Sequence, residues 1–117
     1  LQVAINKIER VPVPENIDSE STEKYYLALS EICRYFIKEK FYIKATEMTS
    51  NELAKHFISI GFDKTLIDSW MTISLKADMA KYAKQIPQIN EYHEDKVNYI
   101  NLIKSFNKIS ARTSGNS

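Results

Sequence analysis

Apolar residues recur every three to four positions along most of this 117-residue chain. From about Ser21 to Lys40 they form one stripe with a period of 3.6 residues, which predicts an amphipathic α-helix. The stripe contains Tyr25, Tyr26, Leu29, Ile32, Cys33, Phe36 and Ile37. Such a one-sided helix needs other elements to cover its apolar face, so the pattern predicts a packed bundle.

A second helix is predicted after Thr49, where a capping box begins. The Thr49 hydroxyl can accept from the backbone N–H of Glu52, and the Glu52 carboxylate can accept from the N–H of Thr49. The helix is expected to end near Gly61, since glycine readily adopts the left-handed conformation that follows a helix. Its predicted buried residues are Leu53, Ala54, Phe57, Ile58 and Ile60.

Two further helices complete the pattern. Asp63 is the predicted N-cap of the third helix, whose apolar periodicity continues toward Gln85 and is stopped by Pro87. Asn90 is the predicted N-cap of the last helix. The residues predicted to be buried are Leu66, Ile67, Trp70, Met71, Ile73, Ala77, Met79 and Tyr82 in the third helix, and Val97, Tyr99, Ile100, Ile103 and Phe106 in the last.

The first residues of the chain fit two patterns. Leu1, Ile5 and Ile8 have helical spacing, whereas Leu1, Val3 and Ile5 alternate as in a strand, and both alternatives stay open. The Val-Pro-Val-Pro sequence at positions 11–14 is expected to be extended, because each proline disfavours helix at the residue before it.

Taken together, the patterns predict three segments. Residues 1–20 are expected to be a linker, residues 21–109 a helical bundle domain, and residues 110–117 a disordered tail. The predicted fold class is all-α, a small bundle of four to five helices with an extended N-terminal linker.

Composition adds a few limits. The net charge of +1 argues against a dedicated nucleic-acid binder, which usually carries a strongly basic face. The single cysteine excludes an internal disulfide. No run approaches the roughly 20 apolar residues of a transmembrane helix, so any membrane anchor is expected outside this sequence. Because the chain starts with Leu1 rather than methionine, we expect it to be a piece of a longer protein.

The residues that usually carry chemistry do not form a catalytic, cofactor-binding or metal-binding motif. His93-Glu94 would need a second histidine at position 97 to form a zinc-protease motif, but that residue is Val97. Neither His93 nor His56 follows a glutamate three positions earlier, as the histidines of carboxylate-bridged metal bundles do. Cys33 lies in the apolar stripe and is predicted to be a core residue. We therefore predict no enzymatic activity and no cofactor.

Residues 50–70 suggest an alternative function, because their spacing resembles that of a helix-turn-helix. The second helix of this pair would present Thr65, Asp68, Ser69 and Thr72 to the major groove of DNA. The acidic side chains of Asp63 and Asp68 would then face the DNA phosphates, so nucleic acid is a disfavoured partner.

Two sets of charged residues are candidate partner-binding residues. Lys38, Lys40 and Lys44 cluster at the corner between the first two predicted helices, where a solvated face is the simpler interpretation. Asp78 and Lys81 are three positions apart on the third helix and share one of its sides. They can form a surface ion pair or, together with the corner lysines, a docking face for another protein.

Three motifs follow one another along the helical part. The first comprises Leu29, Ile32, Arg34, Tyr35 and Phe36; the second comprises Ala45, Glu47, Thr49, Glu52 and Leu53; the third runs from Ala77 to Lys84 and precedes Pro87. In this order, residues 25–106 resemble the C-terminal cytoplasmic domain of BatD-type aerotolerance membrane proteins. Tyr82 stands where that family usually has phenylalanine.

The resemblance implies a helical domain that follows a membrane span and a proline-containing linker, on the cytoplasmic face of a bacterial inner membrane. Residues 1–20 would then be a juxtamembrane segment. Family members accompany proteins with von Willebrand A domains and a MoxR-type ATPase, so one of these is the implied partner. The family supplies no catalytic residues. The predicted function is therefore a non-enzymatic protein-interaction module, with a helix-turn-helix nucleic-acid-binding domain as the alternative.

Overall fold

The computed structural model describes residues 1–109, which form a helical bundle without a β-strand. Its elements are α1 (Gln2–Arg10), α2 (Ser19–Phe41), a 3₁₀-helix (Ala45–Glu47), α3 (Ser50–Ser59), α4 (Lys64–Tyr82) and α5 (Ile89–Asn107). The predicted all-α fold with four to five helices is confirmed. The predicted disordered tail, residues 110–117, lies outside the described residues. No helix within residues 1–109 combines the length and apolarity needed to cross a membrane.

The two central helices of the bundle are α2 and α4. α2 packs against α1, α4 and α5, while α4 packs against α2, α3 and α5. In the core, the rings of Phe57, Trp70 and Phe106 pack against one another, with centroids 5.3 to 6.3 Å apart. Burial of each such side chain contributes roughly 1.5–3 kcal/mol. The same core contains Cys33, as the apolar stripe predicted.

The first residues form a helix rather than a strand. Ile5 and Ile8 of α1 are buried, and α1 packs against both α2 and α5. On α5, the Lys96 ammonium donates to the carbonyl of Val11 at 2.6 Å and holds the end of α1 in place. The connection between α1 and α2 therefore covers residues 11–18, and α1 is part of the bundle.

Local hydrogen bonds define the helix ends. In the predicted capping box, the Glu52 N–H donates to the Thr49 hydroxyl at 3.1 Å and the Thr49 N–H donates to the Glu52 carboxylate at 2.9 Å. Gly61 follows α3 with φ +85°, as predicted. α2 begins two residues earlier than predicted, because the Asp18 carboxylate accepts from the N–H of Ser21 at 2.8 Å.

The start of α5 differs from the prediction. Gln88 is the N-cap, and its N–H donates to the Glu91 carboxylate at 3.0 Å. The prediction that Asn90 caps this helix is wrong, because Asn90 already lies in its first turn. Asp63 is the N-cap of α4, as predicted, although its side chain makes no capping hydrogen bond.

Four side chains that were predicted to be buried are exposed. They are Ile58 and Ile60 near the end of α3, Tyr82 at the end of α4, and Val97 on α5. α3 packs mainly against α4, and a helix covered along one side buries only the positions on that side. The sequence pattern therefore overestimated the width of the buried stripes.

Candidate functional site

Five polar side chains from three helices meet where α2, α3 and α4 come together. Ser30 and Arg34 are one turn apart on α2, Ser50 is the first residue of α3, and Asp78 and Lys81 are three positions apart on α4. We call these five residues the Arg34 cluster. Spacings of three and four positions place each helical pair on one side of its helix, which is why they converge.

The Arg34 guanidinium is the centre of the cluster. Its Nη2 donates to the Ser50 hydroxyl at 3.0 Å, its Nη1 donates to the Ser30 hydroxyl at 2.5 Å, and its Nε donates to the carbonyl of Met48 at 3.4 Å. The guanidinium carbon also lies 5.1 Å from the centroid of the Trp70 ring, a cation–π distance. All these partners are electrically neutral.

Lys81 is the second cation of the cluster. Its ammonium group donates to the Ser30 hydroxyl at 3.2 Å and lies 3.3 Å from the Asp78 carboxylate. The other oxygen of Asp78 accepts from the Ser50 hydroxyl at 2.8 Å. The cluster thus holds two cations and one carboxylate, and that carboxylate is engaged with Lys81 and Ser50.

Two adjoining cavities open beside the cluster. The polar pocket, of about 310 Å³, is lined by Leu27, Ser30, Glu31, Arg34, Thr46, Glu47, Met48, Thr49, Ser50, Asp78, Lys81 and Tyr82. The apolar groove, of about 410 Å³, is lined by Leu1, Val3, Ala4, Lys7, Glu31, Ile32, Arg34, Tyr35, Phe36, Glu39 and Thr46. Glu31, Arg34 and Thr46 line both cavities, so the two are neighbours along α2.

The predicted ion pair between Asp78 and Lys81 is present, but it is not a surface feature. Lys81 is only 6% exposed and lies inside the Arg34 cluster, while Asp78 is half-buried. The corner residues Lys38 and Lys44 are exposed and line a separate shallow depression that shares no residue with the polar pocket. Lys40 is half-buried and lies above the ring of its neighbour on the chain.

From the sequence, Arg34 was identified only as one position of a motif and not as a site residue. The one available signal was Ser30, which lies four positions earlier on the same side of α2 and accepts a hydrogen bond from it. That signal is weak, since the same spacing occurs on solvated helices. The convergence of α3 and α4 onto this side depends on tertiary packing.

A second polar cluster connects α2, α4 and α5. The Tyr25 hydroxyl donates to the carbonyl of Tyr92 at 2.7 Å, and Tyr26 donates to the Asp95 carboxylate. Lys76 pairs with Asp95 at 3.0 Å. Burial, with a further contribution from Asp95, raises the pKa of Tyr25 to about 12, and burial and its hydrogen bond raise the pKa of Tyr26 above the usual value of 10. The polar groups of this second cluster form hydrogen bonds and an ion pair with one another, and they lie within the packed bundle.

Other candidate groups are placed as follows. Cys33 is fully buried, and burial raises the pKa of its thiol to about 12, so it stays protonated at neutral pH. His93 is exposed and His56 half-buried. Among residues 1–109, no three His, Cys, Asp or Glu side chains are arranged to hold a metal ion.

The helix-turn-helix segment corresponds to α3, the turn at residues 60–63 and the start of α4. Thr65, Asp68 and Thr72 are exposed. The ammonium group of Lys64 pairs with the Asp68 carboxylate at 2.8 Å. Lys64, the cation at the start of the would-be recognition helix, is therefore already paired with a carboxylate on the surface that would face DNA.

No protein-family model, curated protein or solved structure matches this chain.

Proposed function

We propose that this domain is a non-enzymatic protein-interaction module whose binding surface is formed by the polar pocket and the apolar groove. The observation that carries the proposal is the set of exposed apolar side chains around the two cavities. Val3 is 68% exposed, Tyr35 49% and Tyr82 74%, and Leu1 and Leu27 are also exposed. Apolar patches with a polar rim are typical of protein-binding surfaces.

The residue types at this surface also favour a protein partner. Tyrosine and arginine are enriched where proteins bind one another, and they dominate the binding energy when they lie at the centre of an interface. Tyr35 and Arg34 are adjacent on α2, and Tyr82 at the end of α4 lines the polar pocket.

The resemblance to BatD-type proteins supports a cellular setting for this module. We propose that it acts on the cytoplasmic face of a bacterial inner membrane, connected to the membrane through a segment outside this chain. Its partner is then a von Willebrand A-domain protein or a MoxR-type ATPase of the same membrane system. Nucleic acid is a disfavoured partner, because the near-neutral charge and the Lys64–Asp68 pair leave little basic surface.

Site-specific photo-crosslinking in the native host tests this function. A photoreactive phenylalanine analogue is placed at Tyr35, which lines the apolar groove, and at Ile58, which is 63% exposed and lines neither cavity. The expected result is a crosslink from position 35, absent from position 58, to a von Willebrand A-domain protein or a MoxR-type ATPase. Equal crosslinking from both positions, or none from either, would contradict the proposal.

A further inference from the structure

Arg34 is a buried cation that has no anionic partner in the part of the chain that the structure describes. It is 8% exposed, and it takes part in none of the ion pairs between residues 1 and 109. Its three hydrogen bonds end on two hydroxyls and one carbonyl. A guanidinium carries five N–H groups, so two of them remain without an acceptor in that range.

Such an arrangement is unusual because burial of a charge is costly unless an opposite charge accompanies it. The cluster contains one carboxylate, on Asp78, and that group contacts Lys81 and Ser50 instead. The neutral partners of Arg34 reduce the cost but leave the cluster with an excess positive charge. An anion that enters the polar pocket would remove this excess.

The carboxylates at the mouth of the pocket do not supply that anion. Glu31 and Glu47 line the pocket but are exposed, and neither forms an ion pair with Arg34. Their position nevertheless limits what can enter. Their repulsion acts on every anion but grows with its charge, so a dianionic phosphate or a membrane surface with many charges is repelled more strongly than a single carboxylate.

We propose that the polar pocket binds the carboxylate of an aspartate or glutamate side chain in a partner protein, and that apolar residues next to it in the partner's sequence lie in the apolar groove. A single carboxylate suits the pocket for two reasons. It can accept two parallel hydrogen bonds from a guanidinium, and its single charge balances the excess charge of the cluster. This inference rests on the proposed function and specifies the chemistry of its partner.

The adjoining groove explains why the anion belongs to a peptide. The groove is lined mainly by apolar side chains and continues into the pocket at Arg34, so the anionic and apolar parts of one ligand can be bound at once. A free anion would leave the groove unused. An extended segment with an acidic residue beside aliphatic or aromatic residues would occupy both cavities.

A selection of displayed random peptides on the whole protein tests the inference. We expect the enriched peptides to carry an aspartate or glutamate next to apolar residues. For a synthetic copy of the best peptide, replacement of its acidic residue by the matching amide, or Arg34→Gln in the protein, should weaken binding about thirty-fold or more, as the loss of one partner of a buried charge pair does. Lys55→Gln, which removes an exposed charge outside both cavities, should leave binding unchanged.

A second pair of variants keeps the test decisive if Arg34→Gln does not fold. Leu27→Glu places a carboxylate at the mouth of the polar pocket, and Ile58→Glu makes a similar change at an exposed apolar residue elsewhere. Only Leu27→Glu should weaken binding of the acidic peptide. Circular dichroism checks that both variants remain helical.

Three results would overturn the inference. Enriched peptides without an acidic residue, still bound by Arg34→Gln and Leu27→Glu, would refute it while leaving the proposed interaction function intact. Binding of inorganic phosphate or phosphatidylglycerol vesicles that depends on Arg34, without binding of acidic peptides, would assign the pocket to another anion. If no displayed peptide binds and position 35 gives no crosslink, the proposed function is refuted as well.

Discussion

The substitution Tyr99→Phe removes a single oxygen atom from the core. The Tyr99 hydroxyl is buried and forms no hydrogen bond within the described residues. Its neighbour Ser30 accepts from Arg34 and Lys81 but does not complete a hydrogen bond with it. An unpartnered buried polar group destabilises the folded state by about 1–3 kcal/mol. We therefore expect Tyr99→Phe to leave the free energy of unfolding unchanged or to raise it by about 1 kcal/mol.

The same substitution at Tyr25 provides the matched control. The Tyr25 hydroxyl is equally buried, but it donates to the carbonyl of Tyr92 at 2.7 Å. Tyr25→Phe should therefore lower the free energy of unfolding by about 0.5–1.5 kcal/mol, the net value of a typical hydrogen bond. Two chemically identical changes should thus have different effects, and burial alone predicts no such difference.

Urea and thermal denaturation followed by far-ultraviolet circular dichroism at neutral pH measure both variants against the unchanged protein. For a domain of this size, 1 kcal/mol corresponds to about 4 °C in the melting temperature. If Tyr99→Phe costs as much stability as Tyr25→Phe, the reasoning is refuted. Tyr99 would then have a hydrogen-bond partner in solution, and Ser30 is the group to test next.

Three further predictions follow from the caps, the tyrosines and the surface charge. Thr49→Ala should lower the free energy of unfolding by about 1 kcal/mol through loss of the capping box, and an unchanged urea midpoint would show that the box does not form. Burial is the main cause that raises the pKa values of Tyr25, Tyr26 and Tyr99. As the pH rises above about 10, these hydroxyls therefore ionise in the unfolded chain before they ionise in the folded protein. The free energy of unfolding should therefore be constant with respect to these groups below that pH and fall above it by about 1.4 kcal/mol per pH unit for each tyrosine that is ionised only in the unfolded chain, which a circular dichroism titration with tyrosinate absorbance checks. Binding to duplex DNA should be weak and non-specific, because Asp68 lies on the would-be recognition surface; sequence-specific binding tighter than about 10⁻⁷ M in a salt-controlled titration would restore the helix-turn-helix alternative.

The helices could be predicted from the sequence because their signals are local. The period of the apolar residues in α2 and the capping box at Thr49 depend on neighbours within one or two turns. The sequence left open whether the first residues form a helix or a strand, since Ile5 and Ile8 provide only one buried turn. Packing against α2 and α5 stabilises α1 as a helix. The exposed Tyr82 shows the limit of the pattern, because apolar periodicity does not tell where the covering helix ends.

The candidate site could not be predicted in the same way, because the burial of Arg34 is a tertiary property. Within one turn of Arg34 only Ser30 is a signal, and the same spacing occurs for arginines on solvated faces. Its environment comes from Ser50 and Trp70, which lie 16 and 36 positions away in the sequence and reach it only after α3 and α4 have packed. Asp78 and Lys81 were selected for their charge and their three-position spacing, and packing placed Lys81 inside the bundle.

The Arg34 cluster also connects binding to stability. A guanidinium held by hydroxyls, a carbonyl and the Trp70 ring is less stable than one that also contacts a carboxylate, so the unliganded fold retains an electrostatic cost. A ligand that binds only the folded state stabilises it by about 2.7 kcal/mol at one hundred times its dissociation constant. An acidic partner segment should therefore raise the melting temperature of this domain, and the rise should disappear in a variant that has lost the charge of Arg34 but remains folded. Under the proposed function, the domain would therefore be most stable with its acidic partner segment bound.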